Sequence, residues 1–337
     1  MNSATGSLRI VLTAAAAVSI ATLIGIRAAV PAGAQSGQTL SDRSRFVGTY
    51  RLIATEVKNA SGDWGRTPNS NSIGYITYSD TGHMAVYAVS RLLRFAANAP
   101  TGEEAQAALQ GTTAYFGSFT VDDTGKSVVH HRAGQLIPGG PVDASYFYDF
   151  DGDRFILTLE PAAGAGKDQA ANRIVWERLP DPPLSAEAKK FVGFYKLLYT
   201  DSYREKDGKE VFHGNRNETQ TGSYILYTPS GHMMAHLMNK EGRTKFAGAQ
   251  PTPDEALGAY RSYTGYFGRF ITYENYKPPF VFHSQQGTTN PGREVDATKR
   301  FYVFTGNILR LGAPPTLNAA GEMAGSHLYW ERLPPIK

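Results

Sequence analysis

Histidine, tyrosine and arginine recur at matched places in this chain, and their chemistry sets the first questions. His130 and His283 lie in strand-like segments, each preceded by an apolar neighbour, Val129 or Phe282. If those neighbours face one side of a sheet, the histidines face the other. Pointing inward, each would be a polar anchor or a general acid/base; pointing outward, each is a solvated strand residue. His83 and His232 follow a turn glycine. There a histidine either closes its hairpin through a backbone hydrogen bond or offers an imidazole to a ligand at a mouth. Tyr115 and Tyr266 begin Tyr-Phe-Gly triplets. A tyrosine in a cavity offers one hydroxyl on an apolar ring, and in a filled core it is packing. Arg269 and Arg300 stand where the earlier half has Ser118 and Tyr146. Together they could clamp a carboxylate or phosphate, or they could be solvated strand-face charges.

Other constellations carry less. His232 and His236 are four apart, a metal-ligand spacing on a helix but ~13 Å apart on a strand. No metal site follows. Gly164-Ala165-Gly166-Lys167 lacks the spacing and the following Ser or Thr of a phosphate loop. No Gly-x-Ser-x-Gly elbow occurs, so a hydrolase nucleophile has no local support. With no cysteine there is no disulfide, thiolate metal site or cysteine lipid anchor, and no cofactor is expected.

The elements that position these residues come from a repeat. Phe46-Val47-Gly48-Thr49-Tyr50 returns as Phe191-Val192-Gly193-Phe194-Tyr195. Tyr75-Ile76-Thr77-Tyr78 with Gly82-His83-Met84 returns as Tyr224-Ile225-Leu226-Tyr227 with Gly231-His232-Met233. Tyr115-Phe116-Gly117 matches Tyr266-Phe267-Gly268, and Val129-His130 matches Phe282-His283. Each copy ends in Trp-Glu-Arg-Leu-Pro. The order and spacing of the blocks define two domains, 35–180 and 184–337, joined at the stiff linker Pro180-Asp181-Pro182-Pro183.

Aromatic runs punctuated by glycine read as strands. Ser41 and Ser185 can cap a brief helical turn before the first strand, and Thr101-x-x-Glu104 and Thr252-x-x-Glu255 are capping boxes for one short helix per copy. About eight strands in each copy predict an all-β fold, two tandem up-and-down barrels, because closure removes exposed edges.

The pattern Phe-Val-Gly-x-Tyr, then Tyr-x-x-Tyr-x-x-x-Gly-His-Met, Tyr-Phe-Gly and a terminal Trp-Glu-Arg resembles the bacterial and fungal lipocalin-like domain family. Both copies carry it, with Tyr50 and Tyr195 where true lipocalins have a Gly-x-Trp tryptophan. The resemblance implies a barrel cavity of ligand size and no particular reaction.

Arg9, the apolar run Ile10 to Ile26 and Ala32-Gly33-Ala34 form a signal-peptide pattern over 1–34, with cleavage after Ala34. The expected location is periplasmic or secreted, without a membrane span after cleavage. Removing Arg9 and Arg27 lowers the formal charge of +4 by two, and no basic run remains to suit nucleic acid. The leading expectation is a binding protein for a small apolar or amphipathic molecule, carboxylate-bearing if the second barrel binds it. The candidate contacts are His283, Tyr266, Arg269, Arg300, His232, His130, Tyr115 and His83. The rivals are a cofactor-independent isomerase, cyclase or lyase using His and Tyr, and an envelope scaffold with both barrels packed solid.

Overall fold

A computed structural model describes residues 40–67, 71–97, 99–160, 167, 171–207, 209–212, 216–292, 294 and 298–336. The signal-peptide pattern and the Gly164–Gly166 segment lie outside the described residues. Among the described residues no helix is long and apolar enough to cross a membrane.

Each copy forms a closed eight-stranded antiparallel barrel. The first uses β1 (Gly48–Lys58), β3 (Ser72–Tyr78), β4 (His83–Ser90), β5 (Thr112–Asp122), β6 (Ser127–Gln135), β7 (Asp143–Asp151), β8 (Arg154–Leu159) and β9 (Asn172–Arg178). β1 pairs with both β3 and β9, which closes the cylinder, and the short β2 (Trp64–Arg66) folds back on the upper part of β1. The second barrel uses β10 (Gly193–Lys206), β12 (Tyr224–Tyr227), β13 (His232–Met238), β14 (Tyr263–Tyr273), β15 (Phe280–Thr288), β16 (Thr298–Thr305), β17 (Ile308–Gly312) and β19 (Met323–Arg332). It closes through β10 with β12 and β19, while β11 (Lys209–Phe212) and β18 (Thr316–Leu317) extend the β10–β19 pair.

A short helix precedes each barrel, α1 (Leu40–Phe46) and α3 (Ala186–Phe191). Ser185 caps α3 by accepting from the Ala188 N–H at 3.1 Å. The last residue of each helix is a fully buried phenylalanine that plugs one end of the barrel. Phe46 makes edge contacts with Tyr78, Tyr148 and Phe155 at 4.9–5.3 Å, and Phe191 does the same with Tyr227, Tyr302 and Phe304 at 4.9–5.1 Å. Trp176 and Trp330 fill the same closed ends. Arg178 lies over the Tyr50 ring and donates to the Val47 carbonyl at 2.6 Å, and Arg332 repeats this over Tyr195. Gly48 has φ +149°, and a Cβ there would stand 2.8 Å from the Arg178 guanidinium, so both backbone and space require glycine.

Helices α2 (Gly102–Gln110) and α4 (Pro253–Arg261) interrupt corresponding hairpins, and both predicted capping boxes are formed. They pack on each other as part of a large apolar cluster shared by the two barrels. The outer faces of β3–β4–β5 meet those of β12–β13–β14. Phe116 stacks on Tyr224 at 4.3 Å while its counterpart Phe267 meets Tyr75 at 5.4 Å. Tyr87 packs against His236, which occupies its own position in the other copy, at 5.5 Å. Equivalent residues thus meet equivalent residues, the pattern of an isologous two-fold contact.

Candidate functional site

The barrel interior holds the first cluster. β6 and β15 bring His130 and His283 inward, and both are fully buried. The inner tyrosine of each Tyr-x-x-Tyr run meets the imidazole: Tyr78 Oη lies 2.8 Å from His130 Nε2, and Tyr227 Oη lies 2.9 Å from His283 Nε2. The tyrosine of each Tyr-Phe-Gly triplet meets the other nitrogen, Tyr115 at 2.8 Å and Tyr266 at 2.9 Å from Nδ1. Each barrel therefore contains a Tyr–His–Tyr chain.

Proton accounting fixes its direction. Among the described residues Tyr227 Oη meets only His283, so its hydrogen must go to Nε2 to avoid being stranded. Nδ1–H then donates to Tyr266, whose own O–H is left to donate elsewhere. Burial, reinforced by Arg132 or Arg300, lowers both imidazoles from 6.5 to about 3. The ring is neutral and spends one nitrogen as acceptor and the other as donor. It transmits orientation between phenols and has no free lone pair for a substrate.

The two chains end differently. In the first barrel Tyr115 meets the hydroxyl of Tyr146 and the side chain of Arg132, whose guanidinium lies 4.4 Å over its ring. In the second, β16 carries Arg300 where β7 carries Tyr146, because Arg300 pairs opposite Val281 as Tyr146 pairs opposite Val128. Arg300 lies close to Tyr266, and its charge opposes the rise that burial imposes on that phenol. Tyr266 is half-buried, whereas Tyr115 is buried. The second chain thus ends in a phenol O–H and a guanidinium on a partly open ring.

The remaining candidates lie elsewhere. Arg269 corrects the expected two-arginine clamp: one residue before the inward Phe270, it points to the outer face and is exposed, while Arg300 faces inward. His83 and His232 also lie on outer strand faces, at the contact between barrels. His83 Nε2 meets the Pro334 carbonyl at 3.0 Å and lines a cavity of about 270 Å³ with Ser118 and Tyr224. His232 bonds through Nδ1 to Ser230 and packs on Tyr75 at 4.7 Å. His236 is fully buried against Tyr263 Oη at 2.6 Å, and no metal-ligand cluster occurs among the described residues. Sequence reasoning missed Tyr78 and Tyr227. Their signal was present in Tyr-x-x-Tyr, since an odd spacing on a strand sends the two rings to opposite faces.

The lipocalin-like domain family matches residues 47–179 and 192–333, one match per barrel. The chain belongs to the lipocalin-like domain family. No curated protein matches it. Among solved structures it is similar to a protein of unknown function of the DUF3598 family from Nostoc punctiforme PCC 73102, at 9% identity, covering 87% of this chain and 99% of that one. The TM-score is 0.21, too slight a likeness to bear on fold or ligand.

Proposed function

We propose that this lipocalin-like protein is exported and binds a small, largely apolar molecule bearing a carboxylate, held in the second barrel with its anionic end at Tyr266 and Arg300. The single observation behind this reading is the termination of the Tyr227–His283–Tyr266 chain in an uncommitted phenol donor beside a guanidinium. Such a donor pair suits a carboxylate, and the aromatic and aliphatic side chains of the barrel interior suit an apolar body. The catalytic alternative loses support, because both nitrogens of His283 are committed to tyrosines and burial keeps the ring neutral. A barrel packed solid to both ends is the reading to beat, since the closed ends are filled by Phe46 and Phe191.

Native mass spectrometry of the protein purified from an exported fraction tests the proposal. The expected result is a chain beginning at Gln35 with excess mass that disappears on denaturation. Arg300→Tyr, the residue of the first barrel, should release that mass while leaving the fold intact. A clean apo mass under gentle conditions, together with no gain on adding apolar carboxylates, would refute the binding reading.

A further inference from the structure

The outer wall of the second barrel carries a polar cluster that is not found among the described residues of the first barrel. His327 on β19 is 6% exposed, and its Nδ1 meets Asp201 Oδ1 of β10 at 3.0 Å. The other oxygen of Asp201 accepts from Tyr329 Oη at 2.8 Å, so the carboxylate is held at both ends. Tyr203 stacks on the imidazole at 4.5 Å and 13°. The ring is thereby fixed with Nε2 turned toward a groove of about 400 Å³, whose walls include Tyr203, Phe301 and Val303. That volume lies within the range of small-molecule sites.

A carboxylate already occupies the polar corner of this groove, and it is a poor fit. Glu210 Oε1 lies 3.3 Å from His327 Nε2, and its Oε2 lies 3.6 Å from Arg310 Nη1. Charge-assisted hydrogen bonds run closer to 2.7–2.9 Å. Glu210 sits on β11, all four of whose residues are exposed, and its side chain is 47% exposed. The imidazole thus faces a carboxylate oxygen at each ring nitrogen, Asp201 at Nδ1 and Glu210 at Nε2.

The first barrel shows what an ordinary version of this position looks like. The cross-strand pair Asp201 and His327 corresponds to Glu56 and Arg173, a direct ion pair at 2.6 Å with Trp64 under the guanidinium. Arg310 corresponds to Ile156, and Gly312 to Thr158. A Cβ at Gly312 would stand 2.8 Å from His327 Cδ2, so the threonine of the first barrel would displace the imidazole. Four differences at matched positions together replace a closed ion pair with two side chains converging on a groove.

We propose that His327 Nε2–H and Arg310 form a second site, on the outer wall, for the carboxylate of a flat apolar molecule. Glu210 is its tethered competitor, occupying the seat until a free carboxylate displaces it, and Tyr203 and Phe301 flank the apolar body. This site is separate from the barrel interior and stands or falls without the function proposed above.

Titration with 2-naphthoate, followed by calorimetry and by the imidazole ¹⁵N resonances of His327, tests it on the full-length mature protein. Glu210→Ala should tighten binding about fivefold, and Arg310→Ile should weaken it about fivefold, the scale of one charged contact. Both positions are on the surface, which keeps folding intact. The His327 resonances should move on addition of naphthoate, and should do so equally in Arg300→Tyr, which removes only the interior seat. Unaltered binding in Glu210→Ala or in Arg310→Ile would overturn the inference. Binding that leaves the His327 resonances unmoved would place the naphthoate inside the barrel, overturning the outer site while favouring the interior one.

Discussion

At the scale of single residues, buried histidines weaken the fold in acid. Burial holds His130, His236 and His283 near 3, while each returns to its ordinary 6.5 when the chain unfolds. Below 6.5 the unfolded state therefore takes up protons that the folded state refuses, so stability falls as pH drops toward 3. Each such group removes about 1.4 kcal/mol per pH unit in the lower part of that window. Urea unfolding at neutral pH and near pH 5 should show this loss, and His236→Gln should flatten the slope by one histidine's share. An unchanged slope would mean that His236 is protonated in the fold. The inward pair His130 and His283 was open to reading from strand alternation only as one of two faces. The Asp201–His327 pair was not legible, because its members are 126 residues apart and the corresponding residues of the first copy, Glu56 and Arg173, have different chemistry.

At the scale of elements, comparing α2 with α4 gives two glycine substitutions of opposite sign. Gly258 lies inside α4 where α2 has Ala107, and an added Cβ there would meet nothing within 4 Å. Gly258→Ala should stabilise the protein by about 1 kcal/mol through helix propensity alone. Gly102 begins α2 directly against Pro253, which begins α4, and a Cβ would stand 2.5 Å from the Pro253 side chain. Gly102→Ala should cost about 1–3 kcal/mol as the helices are forced apart. Thermal unfolding of the two variants checks both signs, and a stabilised Gly102→Ala would show that the helices do not press together. These helices were legible because a capping box is local in sequence. Which face each strand buries was less so. β4 reads His-Met-Ala-Val-Tyr-Ala-Val-Ser and is buried along nearly its whole length on both faces, so the polar–apolar alternation that marks a one-sided strand is missing.

At the scale of the whole molecule, that two-sided burial explains why the repeat was plain and the contact between its copies was not. Matched motifs fix two barrels, but they do not say that the barrels share a core through β3–β4–β5 and β12–β13–β14. The shared surface is self-complementary in kind: Phe116 finds Tyr224 as Phe267 finds Tyr75, and Tyr87 donates to the Gly265 carbonyl at 3.1 Å. A first barrel made alone, residues 35–180, would expose Tyr75, Ala85, Tyr87 and Phe116 as one apolar face. Exposed faces of this kind drive association, and here the partner surface differs little from the face itself. Isolated first barrels should therefore pair as a two-fold dimer that mimics the intact chain. Sedimentation should give twice the barrel mass, and Phe116→Lys should return it to the monomer. A monomeric, well-folded single barrel would show instead that the contact is held by the linker and by segments flanking it, such as the reach of Pro334 to His83.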